Sequence, residues 1–276
     1  MQIQMLVATM YQKDFSLFDK MNIQNNVIFA NQDNENRYEK KNIGGYTALM
    51  RSTDTKGVGK NRNIALLDAN ADILLLSDDD MEYFDGYSKT VIEEFQKRPD
   101  ADAIVFNIEF TKNEKADHAR SDKSRRLHIY NALQYGAAGL AVKRDCLLKY
   151  NIHFSEVFGG GCIYGSGEDS IFILDLMRHG CKVYATDAII ARSSMDSSTW
   201  FTGFNEKYFF DKGALFRSEF PKWKLFIKLY FLFRCRNLTE ISFREMMRQM
   251  NWGMKGFEKL MGFNEWNEYK GLKNDD

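Results

Sequence analysis

The sequence predicts an α/β protein, a mainly parallel sheet flanked by helices, with a helical extension at its C-terminal end. Three observations carry this. Across the first 110 residues, buried-strand patterns alternate with connections and helical patterns. The strand patterns at Asn26–Asn34 and Ile73–Leu76 both run into polar clusters. From Phe204 onward the texture changes to aromatic and basic helical sequence. Domains are therefore expected at 1–203 and 204–276, and 276 residues suffice for one large domain with an appendage.

In order along the chain, "IQMLVATMY" (Ile3–Tyr11) and "NVIFANQDN" (Asn26–Asn34) read as the first two strands. In "GVGKNRNIALLDANA", Gly57 and Gly59 precede a helical pattern with Ile64, Leu67 and Ala71 on one face. The strand Ile73–Leu76 follows. "YSKTVIEEFQKRP" is an amphipathic helix stopped by Pro99. "DAIVFNIEF" (Asp102–Phe110) is a strand, and 111–128 is a charged connection. "YGAAGLAVKR" (Tyr135–Arg144) is a short strand of small residues. The glycine-rich "VFGGGCIYGSGEDS" opens a helix that ends at Gly180, and "KVYATDAII" is a last strand.

In parallel sheets ligands bind beyond the carboxyl ends of the strands. Asn31–Asn34 and Asp78–Asp80 share that side of the sheet. One aspartate after a strand is accounted for by a turn or a helix cap. Three in a row repel one another, by roughly 4 kcal/mol per pair at 4 Å and a near-surface dielectric. A hard divalent cation, Mg²⁺ or Mn²⁺, explains the run better, and such a cation commonly bridges carboxylates and a phosphate. "GSGEDS" has two readings. Ser166 caps the helix while Glu168 and Asp169 favour its positive end, or one of the two carboxylates is a general base. Arg62 stands near a helix start, where anions are welcome, or on a solvated face. Asp33 is a turn aspartate or a hydrogen-bond acceptor for a base or ribose.

Other classes are disfavoured. Formal charge is zero, so no nucleic-acid partner is indicated. Cys146, Cys162, Cys181 and Cys235 form no CxxC pair, so thiols of a cytoplasmic protein are expected rather than a zinc site. The histidines show no metal spacing. GxSxG and Walker-type loops are absent. Neither a signal peptide nor a membrane-spanning run is read. The stretch 220–236 mixes aromatics with Lys222, Lys224, Lys228, Arg234 and Arg236 and holds no acid. It reads either as core or as an interfacial helix touching a membrane from one side.

Together, "VATMYQKD", "NQDN", "GVGKNRNIALLDANADILLLSDDDM", "FGGGCIYGSGEDSIFILDL" and "DSSTW" resemble the family 2 glycosyltransferases of the GT-A fold over about residues 1–215. The tail, with "KGALFRSEFPKW", is similar to bacterial members that build capsule and exopolysaccharide. The resemblance implies inverting transfer of a sugar from a nucleotide donor, usually UDP-linked, to a saccharide hydroxyl, here plausibly on a lipid-linked acceptor at the inner membrane face. Thr9 then lies on the first nucleotide-binding strand, Asp33 contacts the uracil, and Arg62 belongs to the nucleotide site. Asp78 and Asp80 fit the metal-carrying DxD pair, with Asp79 and Asp80 as the alternative pair. Asp169 is the expected base, with Glu168 as its substitute. One departure stands out. Many GT-A enzymes place a metal-ligating histidine after the strand that follows the ED helix. Here "AIIARSSMDSST" has none, which leaves Asp196, a serine or water for that place. Two rivals remain: a nucleotidyltransferase acting on sugar phosphates, and an inactive nucleotide- or carbohydrate-binding module.

Overall fold

The computed structural model describes residues 1–110, 121–193 and 203–274. The chain divides into two compact units, 1–155 with 169–197, and 156–168 with 198–276.

The first unit contains β1 (Ile3–Met10), α1 (Leu17–Lys20), β2 (Asn26–Gln32), β3 (Arg37–Ile43), β4 (Tyr46–Thr53), α2 (Val58–Asp68), β5 (Ile73–Asp78), β6 (Met81–Tyr83) and α3 (Tyr87–Lys97). Then come β7 (Ala103–Phe110), β8 (Arg125–Arg126), α4 (Ile129–Ala132), β9 (Leu140–Lys143), α5 (Arg144–Tyr150), most of α6 (Glu168–Arg178) and β10 (Val183–Ser193). The sheet order is β3-β4-β2-β1-β5-β9-β7-β10-β6, and β8 pairs with β10. At its centre β1 runs parallel to β2 and β5. These strands read as unbroken apolar runs because both faces are covered. Leu74, Leu75 and Leu76 are buried, each contributing about 1.5–3 kcal/mol relative to an exposed side chain.

Several expectations change. The hairpin β3–β4 joins the sheet beside β2, although its charged, weakly alternating sequence gave no strand pattern. Its turn holds Gly44 and Gly45 at φ 60° and 88°, and a Gly-Gly turn of that kind matches the twist of the two strands. The short strand β9 runs antiparallel to both β5 and β7, so the sheet is mixed. Helix α2 exists, but Leu67 is 84% exposed and the buried stripe is Val58, Asn61, Arg62 and Ala65. The polar members of that stripe are buried because they have partners. Asn61 Nδ2 donates to the carbonyls of Thr9 (3.1 Å) and Ala30 (2.7 Å), fastening the helix to the ends of β1 and β2.

The cysteines are also corrected. Cys146 in α5 and Cys181 before β10 form a disulfide rather than separate thiols. Thirty-five residues separate them, so no short spacing announces the pair. The sheet brings them together, because α5 follows β9, and β7 joins β9 to β10.

Gly59 fixes how closely α2 approaches residue 155. A methyl group there would lie 2.0 Å from the Ser155 carbonyl oxygen. Gly59→Ala is therefore expected to destabilise the protein by about 1–3 kcal/mol, the usual range for overpacking. A lowered melting temperature would show it, and an unchanged one would refute the contact.

The second unit packs α7 (Glu206–Glu219), α8 (Lys224–Cys235), α9 (Phe243–Glu258) and α10 (Phe263–Asn274) with residues 156–168. Sequence spacing put that glycine-rich segment inside 1–203, whereas in space it groups with the C-terminal helices. Gly165 N donates to the buried Asp211 carboxylate (2.9 Å), and Tyr164 Oη donates to the Met261 carbonyl (3.3 Å). Helices α7 and α9 cross with their backbones in contact. A methyl at Gly213 would meet Met250 O at 2.1 Å, and one at Gly253 would meet Phe210 O at 1.8 Å. Among the described residues no helix is long and apolar enough to cross a membrane.

Candidate active site

The site builds outward from the carboxyl end of β5. Parallel register sets Asp78 opposite Ala8 of β1, and Thr9 opposite Asn31 of β2. Thr9, Asp78 and the start of the β2 exit loop thus share one edge of the sheet. The Asn31 side chain bonds both backbone groups of Gln12, at 3.0 Å each, and Ser52 Oγ at 2.9 Å, which ties the loop after β1 to β2 and β4. Thr9 is buried and its hydroxyl donates to Asp79 Oδ2. Asp33, just past β2, is paired with Lys13 Nζ at 3.0 Å. The Asn34 amide, followed by Lys13, holds the Asp33 carboxyl below its ordinary range.

The three aspartates are held differently. Asp78 Oδ1 accepts from Arg62 Nη2 at 2.8 Å. Asp79 accepts from Thr9. Asp80 accepts from Ser193 Oγ at 3.1 Å. Burial, then the charge of Asp78, pushes the Asp80 carboxyl above its ordinary range; the Ser193 hydroxyl opposes this, and the Asp79 charge adds a lesser push. Ser193 ends β10, in the stretch where the family pattern has a histidine, while Asp196 lies outside the described residues. Among the described residues no group of three or more His, Cys, Asp or Glu side chains is arranged to cage a metal.

Arg62 links this edge to α6. Its side chain is 7% exposed, and its Nη1 pairs with Asp169 Oδ1 while Nη2 pairs with Asp78. Its guanidinium carbon stands over the Phe154 ring, 5.2 Å from the centroid. Asp169 Oδ2 accepts from the Ala137 amide at 2.9 Å. In α6, Asp169 and Phe172 are three residues apart and share a face. Phe172 stacks on Phe154, with centroids 4.1 Å apart and planes at 5°. Asn63 holds the Phe154 backbone through both its N–H (2.8 Å) and its carbonyl (3.0 Å). Arg62, Phe154 and Asp169 are therefore braced as a set. Glu168 turns back on its own loop and accepts from Gly167 N at 3.0 Å.

The structure thus joins Arg62, Asp78 and Asp169 directly, and Thr9 to Asp79, while Asp33 pairs with Lys13. Sequence reasoning missed Lys13, Asn61, Asn63, Phe154 and the Ala137 amide. A signal for the asparagines existed in "KNRN", where two amides flank an arginine at the start of a helix.

Residues 32–153 match the family model for glycosyl transferase family 2. Over this segment the chain is similar to glycosyltransferase family 2. The matched segment holds Asp33, Arg62 and Asp78–Asp80, and Thr9, Asp169 and Ser193 lie outside it. No curated protein matches the chain. Among solved structures, S. aureus TarS 1–349 in complex with UDP-GlcNAc matches at TM-score 0.58 and 11% identity, over 93% of this chain and 71% of that one. The same TarS segment with UDP matches at TM-score 0.56 and 12% identity, over 93% and 70%. A further TarS structure matches at TM-score 0.56 and 12% identity, and this chain spans 44% of its length. The likeness is one of fold: the matched segment and its surroundings form a GT-A sheet.

Proposed function

We propose that the protein transfers a sugar from a UDP-linked donor to a saccharide hydroxyl with inversion at the anomeric carbon, in the synthesis of a surface glycan such as capsule or exopolysaccharide. The observation that carries the reading is the bridge from Asp78 through Arg62 to Asp169. It sets a candidate base beside the acidic strand end where a diphosphate would be held. That TarS 1–349 is solved with UDP-GlcNAc and with UDP supports the donor class.

In this reading Asp169 accepts the acceptor's proton as the hydroxyl oxygen bonds to the anomeric carbon. The bond from that carbon to the diphosphate oxygen breaks, and its electron pair leaves with UDP. Each carboxylate oxygen has two lone pairs; Asp169 Oδ1 accepts from Arg62 and Oδ2 from the Ala137 amide. Arg62 and the Ala137 amide orient the group and leave capacity for the incoming proton. Asp33, with Lys13 beside it, would receive the uracil, and Thr9 steadies Asp79. Glu168 is the substitute base, and it turns back on its own loop to accept from the Gly167 amide.

The donor set at Asp78 and Asp80 fits Mn²⁺ or Mg²⁺. Both are hard oxygen ligands, and a nearby cation would offset the burial and the Asp78 charge that raise the Asp80 carboxyl. Protein ligands this few suit a cation completed by phosphate oxygens and water. When bound, such a cation stabilises the negative charge of the leaving diphosphate. Lipid linkage of the acceptor remains part of the same proposal.

A thermal-shift panel of nucleotide sugars with and without Mn²⁺ tests this reading. The expected result is stabilisation that needs both a UDP-sugar and the cation, followed by release of UDP when acceptor is added. Release of pyrophosphate from a nucleoside triphosphate would instead identify a nucleotidyltransferase. Binding of UDP without turnover under any metal would identify an inactive module.

A further inference from the structure

Helix α8 presents two unlike faces. One buries Lys228, Leu232 and Cys235 against the rest of the helical unit, where Lys228 Nζ donates to Asn251 Oδ1 at 2.8 Å and Phe231 packs edge-on against Phe216 at 5.4 Å. The other face is open. Trp223, Phe226, Leu229, Tyr230 and Phe233 are all exposed, Phe226 by 70%. At 3.6 residues per turn these five fall within about a third of the helix circumference. Arg236 borders that stripe on one side and Arg234 on the other, and Lys222 lies just before its N-terminal end, all three exposed. The segment 220–236 contains no acidic residue.

A covered core face does not need such a border, and a stripe this apolar is costly to leave in water. The charges narrow the occupant. A second copy meeting this face about a two-fold axis would bring the cationic residues Lys222, Arg234 and Arg236 of the two copies together, like charge against like. An anionic surface complements them. Tryptophan and tyrosine have an apolar body and a polar tip, which suits the boundary between acyl chains and headgroups. At 1.5 Å per residue, α8 is about 18 Å long, too short to span a bilayer and sufficient to lie in one leaflet's interface.

We propose that α8 docks flat on an anionic lipid surface, with Trp223, Phe226, Leu229, Tyr230 and Phe233 inserted among the acyl chains and Lys222, Arg234 and Arg236 on the headgroups. This docking does not depend on the catalytic reading, and its test measures no turnover.

The test is flotation of the whole chain with phosphatidylcholine vesicles, with and without phosphatidylglycerol. The chain is expected to float with the anionic vesicles at low salt, to stay behind with the neutral ones, and to be released by high salt. The double variant Phe226→Glu, Phe233→Glu should stay behind at an unchanged melting temperature. The triple variant Lys222→Gln, Arg234→Gln, Arg236→Gln should lose about fivefold in affinity per charge removed. The proposal is overturned if wild-type protein ignores anionic vesicles at low salt, or if both variants float as wild type does. It is equally overturned if sedimentation reveals a dimer that Phe226→Glu, Phe233→Glu dissolves while vesicles go unbound.

Discussion

Asp169→Asn slows sugar transfer by about 10²–10⁴-fold, the usual contribution of a positioned base, and leaves UDP affinity nearly intact. The substitution keeps the shape of the side chain. Its amide oxygen can still accept from the Ala137 amide, now 2.9 Å from Asp169 Oδ2, so α6 stays in place. Arg62 also keeps Asp78 as a partner. What disappears is the capacity to take the acceptor's proton. Single-turnover release of UDP in the presence of acceptor measures the loss, and titration calorimetry measures the retained nucleotide affinity. Turnover near that of the wild type would remove Asp169 from the role of base. A large loss of UDP affinity would make it part of the donor site.

Arg62→Lys lowers kcat by about 10–100-fold with little change in donor KM, as a displacement of about 1 Å at a reacting group can do. The guanidinium reaches two carboxylates with two different nitrogens and lies over the Phe154 ring. An ammonium is a single point charge and cannot hold both in that geometry. Asp78 and Asp169 are 42% and 27% exposed on their side chains, so water screens part of the loss. The stability cost is then about 1–2 kcal/mol, below the range for a fully buried pair. Steady-state kinetics with varied donor separates the roles. A raised KM at unchanged kcat would mean that Arg62 serves the nucleotide directly and does not position the base.

Much of this arrangement is legible in the residues. The apolar runs of β1 and β5 and the acids that follow β5 announce a sheet edge built to receive something charged. The acidic start of α6, read beside them, gives a second acid for the same edge. What escapes is what depends on partners far along the chain. Arg62 reads as a surface or anion-binding residue until Asp169, 107 residues later, folds against it. Leu67 reads as part of the buried face because apolar residues usually define one. Helix α2 instead buries amides, since Asn61 satisfies carbonyls at the ends of two strands. Charge conceals the β3–β4 hairpin, although its Gly-Gly turn was a readable signal. Cys146 and Cys181 meet only through the strand order, which no spacing reveals.

Strand β6 has a consequence for how the protein is made. It follows β5 directly, yet in the sheet it pairs with β10, through Met81–Ser193, Glu82–Arg192 and Tyr83–Ala191. The segment that completes it leaves the ribosome more than a hundred residues later, and at about 5–20 residues per second that interval is several seconds or more. During it, the aspartates at the end of β5 have neither Ser193 nor Asp169 beside them. A nascent chain released before β10 emerges would display the acidic edge with its supporting wall missing. Among the described residues the last strand made is thus the one that closes the first site begun, and truncations short of residue 193 should be soluble only with chaperone help.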